Sequence, residues 1–385
     1  MAALPPFVSP LPATLVFGSG KIRELGKVTK ALGARALVVI GGSSLEKAGH
    51  LAVVEAALRE AGVECRVFDG VPAEPAVEWV DRGREALAEI KADVVVGIGG
   101  GSVLDVAKAI AALAREDQPT LAYHRGEAKV TKPGLPIVAA PTTSGTGAEV
   151  TPNSVLTDGE LHVKASLRGG DLMPAAAIVD PELTVGCPPD VTAYSGLDAI
   201  VQAIETYVSR GASPYSDALA LRALELMAPA LETAVHNGAD LEARERMALG
   251  STMGGIALAC ARLGLVHGLA HPIGHVWALP HGLVCGLLMP AVMEFNLPVA
   301  GDKYAVAAKA LGVGVEGKEL VAWFRTLAKG VGMEKPAEFA KRKRTDEEED
   351  LIVGQTLASG STRHNPRTAD EADVRAMLAE VVGGC

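Results

Sequence analysis

The feature that most constrains the fold is an alternation of short apolar runs with helical patterns between Thr14 and about Asp180. The runs are rich in β-branched residues and predict strands at residues 36–40, 65–68, 94–98, 137–140 and 177–179. Stretches between them, such as 46–61 and 79–90, have helical periodicity. Strands that alternate with helices predict parallel βαβ units, and strands that are apolar throughout predict a sheet covered on both faces.

The pattern changes after Cys187, where Pro188 and Pro189 follow. Helical periodicity then dominates, as in residues 218–228 and 244–261, and strand signals vanish. A chain of 385 residues is also too long for one ordinary core. We therefore expect an α/β domain over residues 1–187 and an all-α domain over residues 188–385.

Composition excludes several classes of protein. Hydrophobic residues make up 49% and charged residues 21%, which is typical of a globular chain. The net charge is −10, and the basic run from Lys341 to Arg344 is followed at once by the acidic run from Asp346 to Asp350. Adjacent blocks of opposite sign are typical of a solvated surface, so we expect no nucleic-acid partner.

Cysteine use and the N-terminus indicate a cytoplasmic protein. The chain has five cysteines, Cys65, Cys187, Cys260, Cys285 and Cys385. The number is odd, and no two of them form a CxxC pair. This argues against a disulfide framework and for a reducing compartment. No signal peptide is evident, and the apolar stretches are broken by Gly, Pro or charge, so we expect no membrane association.

The strongest cofactor signal is Gly99, Gly100, Gly101 and Ser102, which follow a predicted strand and open a helix. Glycines let the backbone approach an anion, and the free N–H groups of a helix start hold a pyrophosphate. Ser102 is the candidate N-cap, with Asp105 three residues on as in a capping box. A capped helix after a tight turn, without a ligand, is the alternative.

Two further loops follow predicted strands. Thr142 and Thr143 begin a loop rich in hydroxyls and glycine that suits phosphate and ribose contacts. The other loop is small and neutral: Gly41, Gly42, Ser43 and Ser44. An acidic residue at such a strand end would bind the ribose 2′-OH and repel a 2′-phosphate. This loop has no acidic residue, which favours NADP(H) over NAD(H). An ordinary helix N-cap at Ser43 or Ser44 is equally compatible.

Histidines are concentrated in one short stretch. Four of the nine, His267, His271, His275 and His281, lie within residues 267–281. His267 and His271 are four apart and share a helix face, whereas His281 follows Pro280 and is expected at a turn or a helix start. This concentration, flanked by Gly and Pro, indicates a metal site.

A divalent metal in a mixed site also requires a carboxylate. Asp198 is the candidate, and Gln202, four residues on, shares its helix face. Glu205 lies near the same face as a possible second carboxylate, although a cap or an ion pair elsewhere is the preferred interpretation.

Taken together, these segments resemble the iron-containing (group III) alcohol dehydrogenase family. The resemblance covers nearly the whole chain, in family order, through GGGSVLDVAK, PTTSGTGAEVT, VDPELT, SGLDAIVQAIE, SPYSDALAL, GLVHGLAHPIG, PHG and His364-Asn365-Pro366-Arg367. It implies a Rossmann-like α/β domain followed by an all-α domain, an architecture shared with dehydroquinate synthase. It also implies a homodimer or larger oligomer.

The resemblance further implies a ligand set of Asp198, Gln202, His267 and His281 for Fe²⁺ or Zn²⁺. The family has histidine at the position of Gln202, and an amide oxygen is a poorer donor than imidazole. Three interpretations stay open. Gln202 coordinates weakly, water or His275 fills the gap, or tight metal binding is lost. We favour a retained but weakened or altered site.

The implied activity is a metal-assisted hydride transfer between NAD(P)(H) and a small alcohol or aldehyde. His271, together with Asp198, carries over as catalytic, with His271 as the proton relay rather than a ligand. Cofactor contacts carry over to Gly99, Gly100, Gly101, Ser102, Thr142, Thr143, Asn153 and Lys164. The alternatives are a maleylacetate-reductase-like enzyme, whose group tends to lack the aspartate ligand, an enzyme like dehydroquinate synthase or glycerol dehydrogenase, and a catalytically silent nucleotide-binding homologue.

Overall fold

A computed structural model describes residues 5–161, 163–333 and 344–383 of the chain. The first three residues of the basic run 341–344, and Cys385, lie outside the described residues. The chain divides into two compact units. The sheet unit comprises Pro10–Cys187 and Gly238–Thr252, and the helical unit comprises the described parts of Met1–Ser9, Pro188–Asn237 and Met253–Cys385.

The sheet unit is built on a six-stranded parallel sheet in the order β1-β8-β5-β4-β2-β3. Its strands are β1 Thr14–Phe17, β2 Arg35–Ile40, β3 Glu64–Phe68, β4 Val94–Gly99, β5 Ile137–Pro141 and β8 Ala176–Val179. An antiparallel pair, β6 Asn153–Asp158 and β7 Val163–Arg168, forms a second sheet. All five predicted strands belong to the parallel sheet, which confirms the parallel α/β fold.

β1 and the β6–β7 pair were not predicted, and their burial explains why. β1 lies at the edge of the sheet and its four residues are exposed or half-buried. β6 alternates half-buried and buried residues and includes Asn, Ser, Thr and Asp. β6 and β7 therefore lack the continuous apolar run that marks a strand buried on both faces. In β1, residues 15–17 are apolar, but the strand is short and lies at the edge of the sheet.

Helices cover the sheet of this unit, in the chain order α1 Leu25–Lys30, α2 Ser44–Lys47, α3 His50–Glu60, α4 Glu78–Glu89, α5 Gly101–Ala112 and α6 Thr120–His124. The single helix predicted over 46–61 is two helices, because Gly49 adopts a left-handed φ of 76° between α2 and α3. Successive strand residues point to opposite faces. Val95 thus packs in one apolar cluster, whereas Val94 and Val96 pack in another.

Beyond Cys187 the described chain is helical, with no strand after Val179. The helices are α7 Pro189–Val208, α8 Pro214–Met227, α9 Leu231–His236, α10 Leu241–Ala261, α11 Leu265–Trp277, α12 His281–Leu311, α13 Gly317–Gly330, α14 Asp346–Ala358 and α15 Glu371–Gly383. Short 3₁₀ turns occur at Lys21–Glu24, Ala148–Val150, Gly170–Leu172, Pro181–Thr184 and Thr362–His364.

α12 is long and apolar enough to cross a membrane by length and composition alone. However, 67% of its most apolar window is buried inside the fold. Leu288, Met289 and Val292 are each no more than 1% exposed. The apolar surface of α12 therefore serves the core of the helical unit.

Candidate metal centre and nucleotide loops

α7 supplies the first two polar side chains of the candidate metal centre. Asp198 and Gln202 are one helical turn apart, so they lie on one face of α7. Both are buried, at 3% and 4% exposure. Gln202 Nε2 donates a hydrogen bond of 2.8 Å to Asp198 Oδ2. Asp198 Oδ1 is thus the oxygen that faces His267 and His281.

α11 presents His267 near its N-terminus, and two side chains secure that helix end. Val266 N donates to Glu205 Oε1 at 2.7 Å, and Leu265 N donates to Asn365 Oδ1 at 3.3 Å. The same Glu205 accepts from His267 Nδ1 at 2.6 Å. Because Nδ1 carries that proton, Nε2 is directed toward Asp198 Oδ1, which lies 3.2 Å away.

α12 brings the third group of side chains. It begins at His281, directly after Pro280 at the N-cap, as expected from the sequence. Cys285 lies one turn further on the same face and is fully buried. Its Sγ lies 3.6 Å from His281 Nε2 and 4.0 Å from His267 Nε2. His281 Nε2 is 3.7 Å from Asp198 Oδ1.

The ligand atoms of Asp198, His267, His281 and Cys285 all lie within 4.8 Å of one another. The described residues form no other such group of His, Cys, Asp and Glu side chains. Imidazole, carboxylate and thiolate are the usual donors to divalent transition metals. The donor set therefore fits a divalent metal, and all its members belong to the helical unit.

The protonation of this group is set by its burial and its charges. Burial, with the nearby Asp198 carboxylate, raises the pKa of the Cys285 thiol to about 12. Burial opposes a charged imidazole at His267, but the nearby Glu205 and Asp198 carboxylates hold the pKa of His267 well above its ordinary value. Without a cation the group therefore retains protons, which a bound metal would displace.

The remaining histidines of the predicted stretch lie further along α11. His271 is half-buried, and its ring centroid is 5.0 Å from that of His281 and 6.3 Å from that of His267. It adjoins the four-residue group without belonging to it. His275, one turn beyond His271, is also outside this group.

Two residues at the centre were not assigned there from the sequence. Cys285 is not among the predicted ligands, although its spacing of four from His281 places both on one helix face. Glu205 pairs with His267 and caps α11, so its paired role, rather than that of a second metal carboxylate, fits the geometry. No local pattern connects Glu205 to a histidine 62 positions away.

The predicted nucleotide loops follow neighbouring strands of the parallel sheet. Gly41 follows β2, Gly100 follows β4, and Thr142 follows β5, and β4 lies between β2 and β5. The carboxyl ends of parallel strands meet at one sheet edge, so these loops lie at the same edge. Thr142 N also donates to Gly99 O at 3.0 Å, which links two of the loops.

The predicted capping box at the start of α5 is wrong. Gly100, not Ser102, is the N-cap, and no side chain caps this helix end. Ser102 Oγ instead accepts from Glu74 N at 3.3 Å. Asp105 pairs with Lys108 at 2.9 Å and accepts from Val155 N at 3.0 Å. These longer-range partners draw both side chains away from the local cap.

The other predicted cofactor residues lie on the antiparallel pair and the β2 loop. Asn153 begins β6, and Lys164 on β7 forms an ion pair of 2.9 Å with Glu74. Ser43 is the N-cap residue of α2, which begins at Ser44, but its side chain makes no capping hydrogen bond. Gly42 has open space around it, since nothing lies within 4 Å of a built Cβ.

Comparison with known proteins finds matches to one family in both halves of the chain. Residues 12–181 match the family model for iron-containing alcohol dehydrogenase. Residues 192–382 match the model for the C-terminal part of the Fe-containing alcohol dehydrogenase family.

Individual relatives match over almost their full lengths. The NAD-dependent methanol dehydrogenase of Bacillus methanolicus is 35% identical over 96% of this chain and 98% of its own. The NADPH-dependent butanol dehydrogenase of Clostridium saccharobutylicum is 33% identical over 97% of both chains. The crystal structure of 1,3-propanediol oxidoreductase superposes with a TM-score of 0.92, at 33% identity, over 98% of this chain and all of that one. The chain therefore belongs to the iron-containing alcohol dehydrogenase family and is an oxidoreductase of alcohols and aldehydes.

Proposed function

We propose that this chain is a metal-dependent enzyme that moves a hydride between a nicotinamide cofactor and a small alcohol or aldehyde, with NADP(H) preferred. The observation that carries the proposal is the convergence of the ligand atoms of Asp198, His267 and His281 on one point. As part of the same proposal, residues 1–187 bind the dinucleotide and residues 188–385 bind metal and substrate. The enzyme acts as a homodimer or larger oligomer in the cytoplasm.

The residues of the helical unit have distinct roles in this reaction. A divalent cation bound by Asp198, His267 and His281 would supply Lewis acidity to the substrate oxygen, and the nicotinamide would supply or accept the hydride. Glu205 holds the His267 ring in one tautomer through Nδ1. His271, beside His281, is the group assigned to exchange a proton with the substrate oxygen.

The nucleotide loops bind the cofactor from the sheet unit. The N-terminus of α5, at Gly100 and Gly101, presents backbone N–H groups to a pyrophosphate. The neutral loop from Gly41 to Ser44 accommodates a 2′-phosphate because it places no carboxylate at the end of β2. Relatives of both kinds exist, since the methanol dehydrogenase is named NAD-dependent and the butanol dehydrogenase NADPH-dependent.

The test of the activity uses the purified full-length chain. Reduction of a panel of small aldehydes is followed by NADPH oxidation, before chelation, after chelation and after add-back of Fe²⁺, Zn²⁺, Mn²⁺ or Ni²⁺. Metal content is measured in parallel. We expect activity to fall on chelation and to return with at least one cation. Full activity in a metal-free preparation would overturn the metal dependence.

The cofactor preference is tested separately by kcat/KM for NADPH and NADH with the same aldehyde. We expect the ratio to favour NADPH. Equal or better kinetics with NADH would contradict this part of the proposal and leave the metal dependence untouched.

A further inference from the structure

We propose that Cys285 is a ligand of the metal, and that Gln202 is not a ligand but a positioning residue for Asp198. This inference rests on the proposed metal site and specifies its donor set as Asp198, His267, His281 and Cys285. His281 and Cys285, one helical turn apart on α12, would thus both face the cation. Asp198 and Gln202 are also one turn apart, on α7, but there Gln202 contacts Asp198 instead of the cation.

Four of the distances between the donor atoms are close to those expected for ligands of one cation. Metal bonds of 2.0–2.3 Å to O, N and S place neighbouring ligands about 3.4 Å apart for N and O, and about 3.6 Å apart for S and N. Asp198 Oδ1 lies 3.2 Å from His267 Nε2 and 3.7 Å from His281 Nε2. The Cys285 Sγ atom lies 4.0 Å and 3.6 Å from the same two nitrogens. These four distances therefore agree with a shared cation to within about 0.4 Å, and the other donor pairs lie within 4.8 Å. The substrate oxygen would then bind the cation as a fifth ligand.

Gln202 is committed to another partner. Its amide lies 2.8 Å from Asp198 Oδ2, and a carboxylate only accepts, so the amide must present its N–H to that oxygen. This bond fixes the rotation of the carboxylate and leaves Oδ1 turned toward His267 and His281. A nitrogen that donates has no lone pair for a metal, so Gln202 could bind a cation only through its amide oxygen. We infer that its role is instead the hydrogen bond to Oδ2, through which it acts on the site by way of Asp198.

The Cys285 thiol determines how the proposed ligands bind a cation and which metal they prefer. When the cation binds, a bond from Sγ to the metal forms, the S–H bond breaks and the proton passes to solvent. Thiolate is a soft donor that suits Zn²⁺, whereas carboxylate and imidazole accept a wider range of metals. We therefore expect this chain to select Zn²⁺ over Fe²⁺, and to lose much of that preference without Cys285.

The experiment detects the sulfur directly. X-ray absorption of the Zn²⁺-loaded chain should show one sulfur at about 2.3 Å, together with N/O ligands at about 2.0–2.1 Å. The Co²⁺-loaded chain should show a sulfur-to-cobalt charge-transfer band in the near ultraviolet. Both signals should vanish in Cys285→Ser. Chelator competition should also show at least a tenfold loss of Zn²⁺ affinity, because removing even an outer-shell partner of a metal ligand costs about 10–100-fold.

Matched variants separate the role of Cys285 from that of Gln202. Cys65→Ser, at an exposed cysteine on β3, should keep every signal. Gln202→Ala should keep the sulfur signals while weakening Zn²⁺ affinity. Melting curves of the metal-free forms establish that each variant folds, and a Cys285→Ala variant replaces Cys285→Ser if the latter does not.

The outcomes distinguish this inference from the proposed function. A metal-loaded, active wild-type chain without sulfur in its coordination sphere would overturn the role of Cys285 and leave the metal-dependent activity intact. Loss of one N/O ligand from the absorption spectrum of Gln202→Ala would show that Gln202 binds the metal, and would overturn only its assignment as a positioning residue. A chain that takes up no cation at all would overturn the inference and the metal dependence together.

Discussion

His267 is held between two carboxylates, each of which engages one ring nitrogen. Glu205 accepts from Nδ1 at 2.6 Å, and Asp198 Oδ1 lies 3.2 Å from Nε2. All three residues are at most 3% exposed. A carboxylate behind a metal-binding imidazole sets its tautomer and strengthens it as a donor.

Glu205→Gln should therefore weaken the metal site without removing a ligand. We expect metal affinity to fall about 10–100-fold, because an amide in place of the carboxylate loosens the His267 ring. Chelator competition measures the change. Glu225→Gln, which removes a charge on half-exposed Glu225 of α8, is the control and should leave affinity unchanged. Equal affinities for the wild type and Glu205→Gln would show that Glu205 serves only to cap α11.

Gly100 offers a test of the nucleotide loop that spares the fold. Its φ of −70° is open to any residue, and an added Cβ would meet Thr143 only at 3.5 Å. In contrast, a Cβ at Gly101 would lie 2.7 Å from Thr146 Oγ1. Gly100→Ala should therefore fold normally.

If the start of α5 binds the pyrophosphate, the methyl group of Gly100→Ala hinders it. We expect the KM for the dinucleotide to rise about tenfold, the equivalent of roughly 1.5 kcal/mol for one lost hydrogen bond to a charged group. The melting temperature should stay within a degree or two of the wild type. An unchanged KM with an unchanged fold would remove the phosphate-binding role from this helix start.

At the scale of elements, the approach of α12 to α7 depends on one glycine. A Cβ at Gly282 would lie 2.1 Å from the backbone oxygen of Tyr194, so only glycine fits there. Gly282 directly follows His281, and α7 also carries Asp198. The close contact of the two helices therefore sets the distance between two of the proposed ligands.

Gly282→Ala should push the two helices apart. We expect a loss of about 1–3 kcal/mol in the free energy of unfolding, the usual cost of overpacking, together with weaker metal binding. Gly301→Ala is the control in the same helix, since nothing lies within 4 Å of a Cβ there. It should raise stability by up to about 1 kcal/mol through helix propensity. Denaturant unfolding measures both, and equal effects would refute the contact argument.

Glu116, which follows α5, holds the loop between α6 and β5. Glu116 accepts from Lys132 N at 2.7 Å, from Thr131 N at 2.5 Å and from the Tyr123 hydroxyl at 3.0 Å. The Lys132 and Thr131 N–H groups lower the pKa of Glu116 from 4.5 to about 2. A carboxylate with a lowered folded-state pKa stabilises the fold above its unfolded value and loses that effect as the pH falls.

Glu116→Gln should therefore be less stable than the wild type at neutral pH, and the difference should shrink between pH 4.5 and pH 2. Thermal unfolding at a series of pH values measures the difference. Glu127→Gln removes the same charge at an exposed position and should show no such trend. A difference independent of pH would show that the hydrogen bonds, rather than the charge, secure the loop.

At the scale of the whole molecule, the proposed metal couples three helices that are distant in the chain. The proposed ligands come from α7, α11 and α12, so a cation would bind the folded helical unit more tightly than the unfolded chain. Binding of this kind stabilises the native state by RT ln(1 + [L]/Kd), which is about 2.7 kcal/mol at 100 times Kd.

Zn²⁺ at 100 times its Kd should raise the melting temperature, and a chelator should reverse the rise. Calorimetry with and without the cation measures the shift. Asp198→Ala removes the carboxylate and should abolish the metal-dependent part. An equal shift in Asp198→Ala would place the stabilising cation elsewhere in the molecule.

The sequence by itself determined the parallel sheet, because strands buried on both faces must be continuously apolar and are therefore visible as runs. It also determined the helical second half, the start of α12 after Pro280 and the shared face of His267 and His271, which follow from helical periodicity and proline chemistry. The family motifs, which lie in order along the whole chain, identified the enzyme class.

Only the tertiary structure decided which side chains meet. Ser102 and Asp105 were expected to form a local cap, yet their partners are Glu74, Lys108 and Val155. Cys285 and Glu205 reach the metal centre because α7, α11 and α12 pack together, and no local spacing encodes that packing. Contacts within one element follow from its period, whereas contacts between elements depend on how the core closes, which a local pattern does not contain.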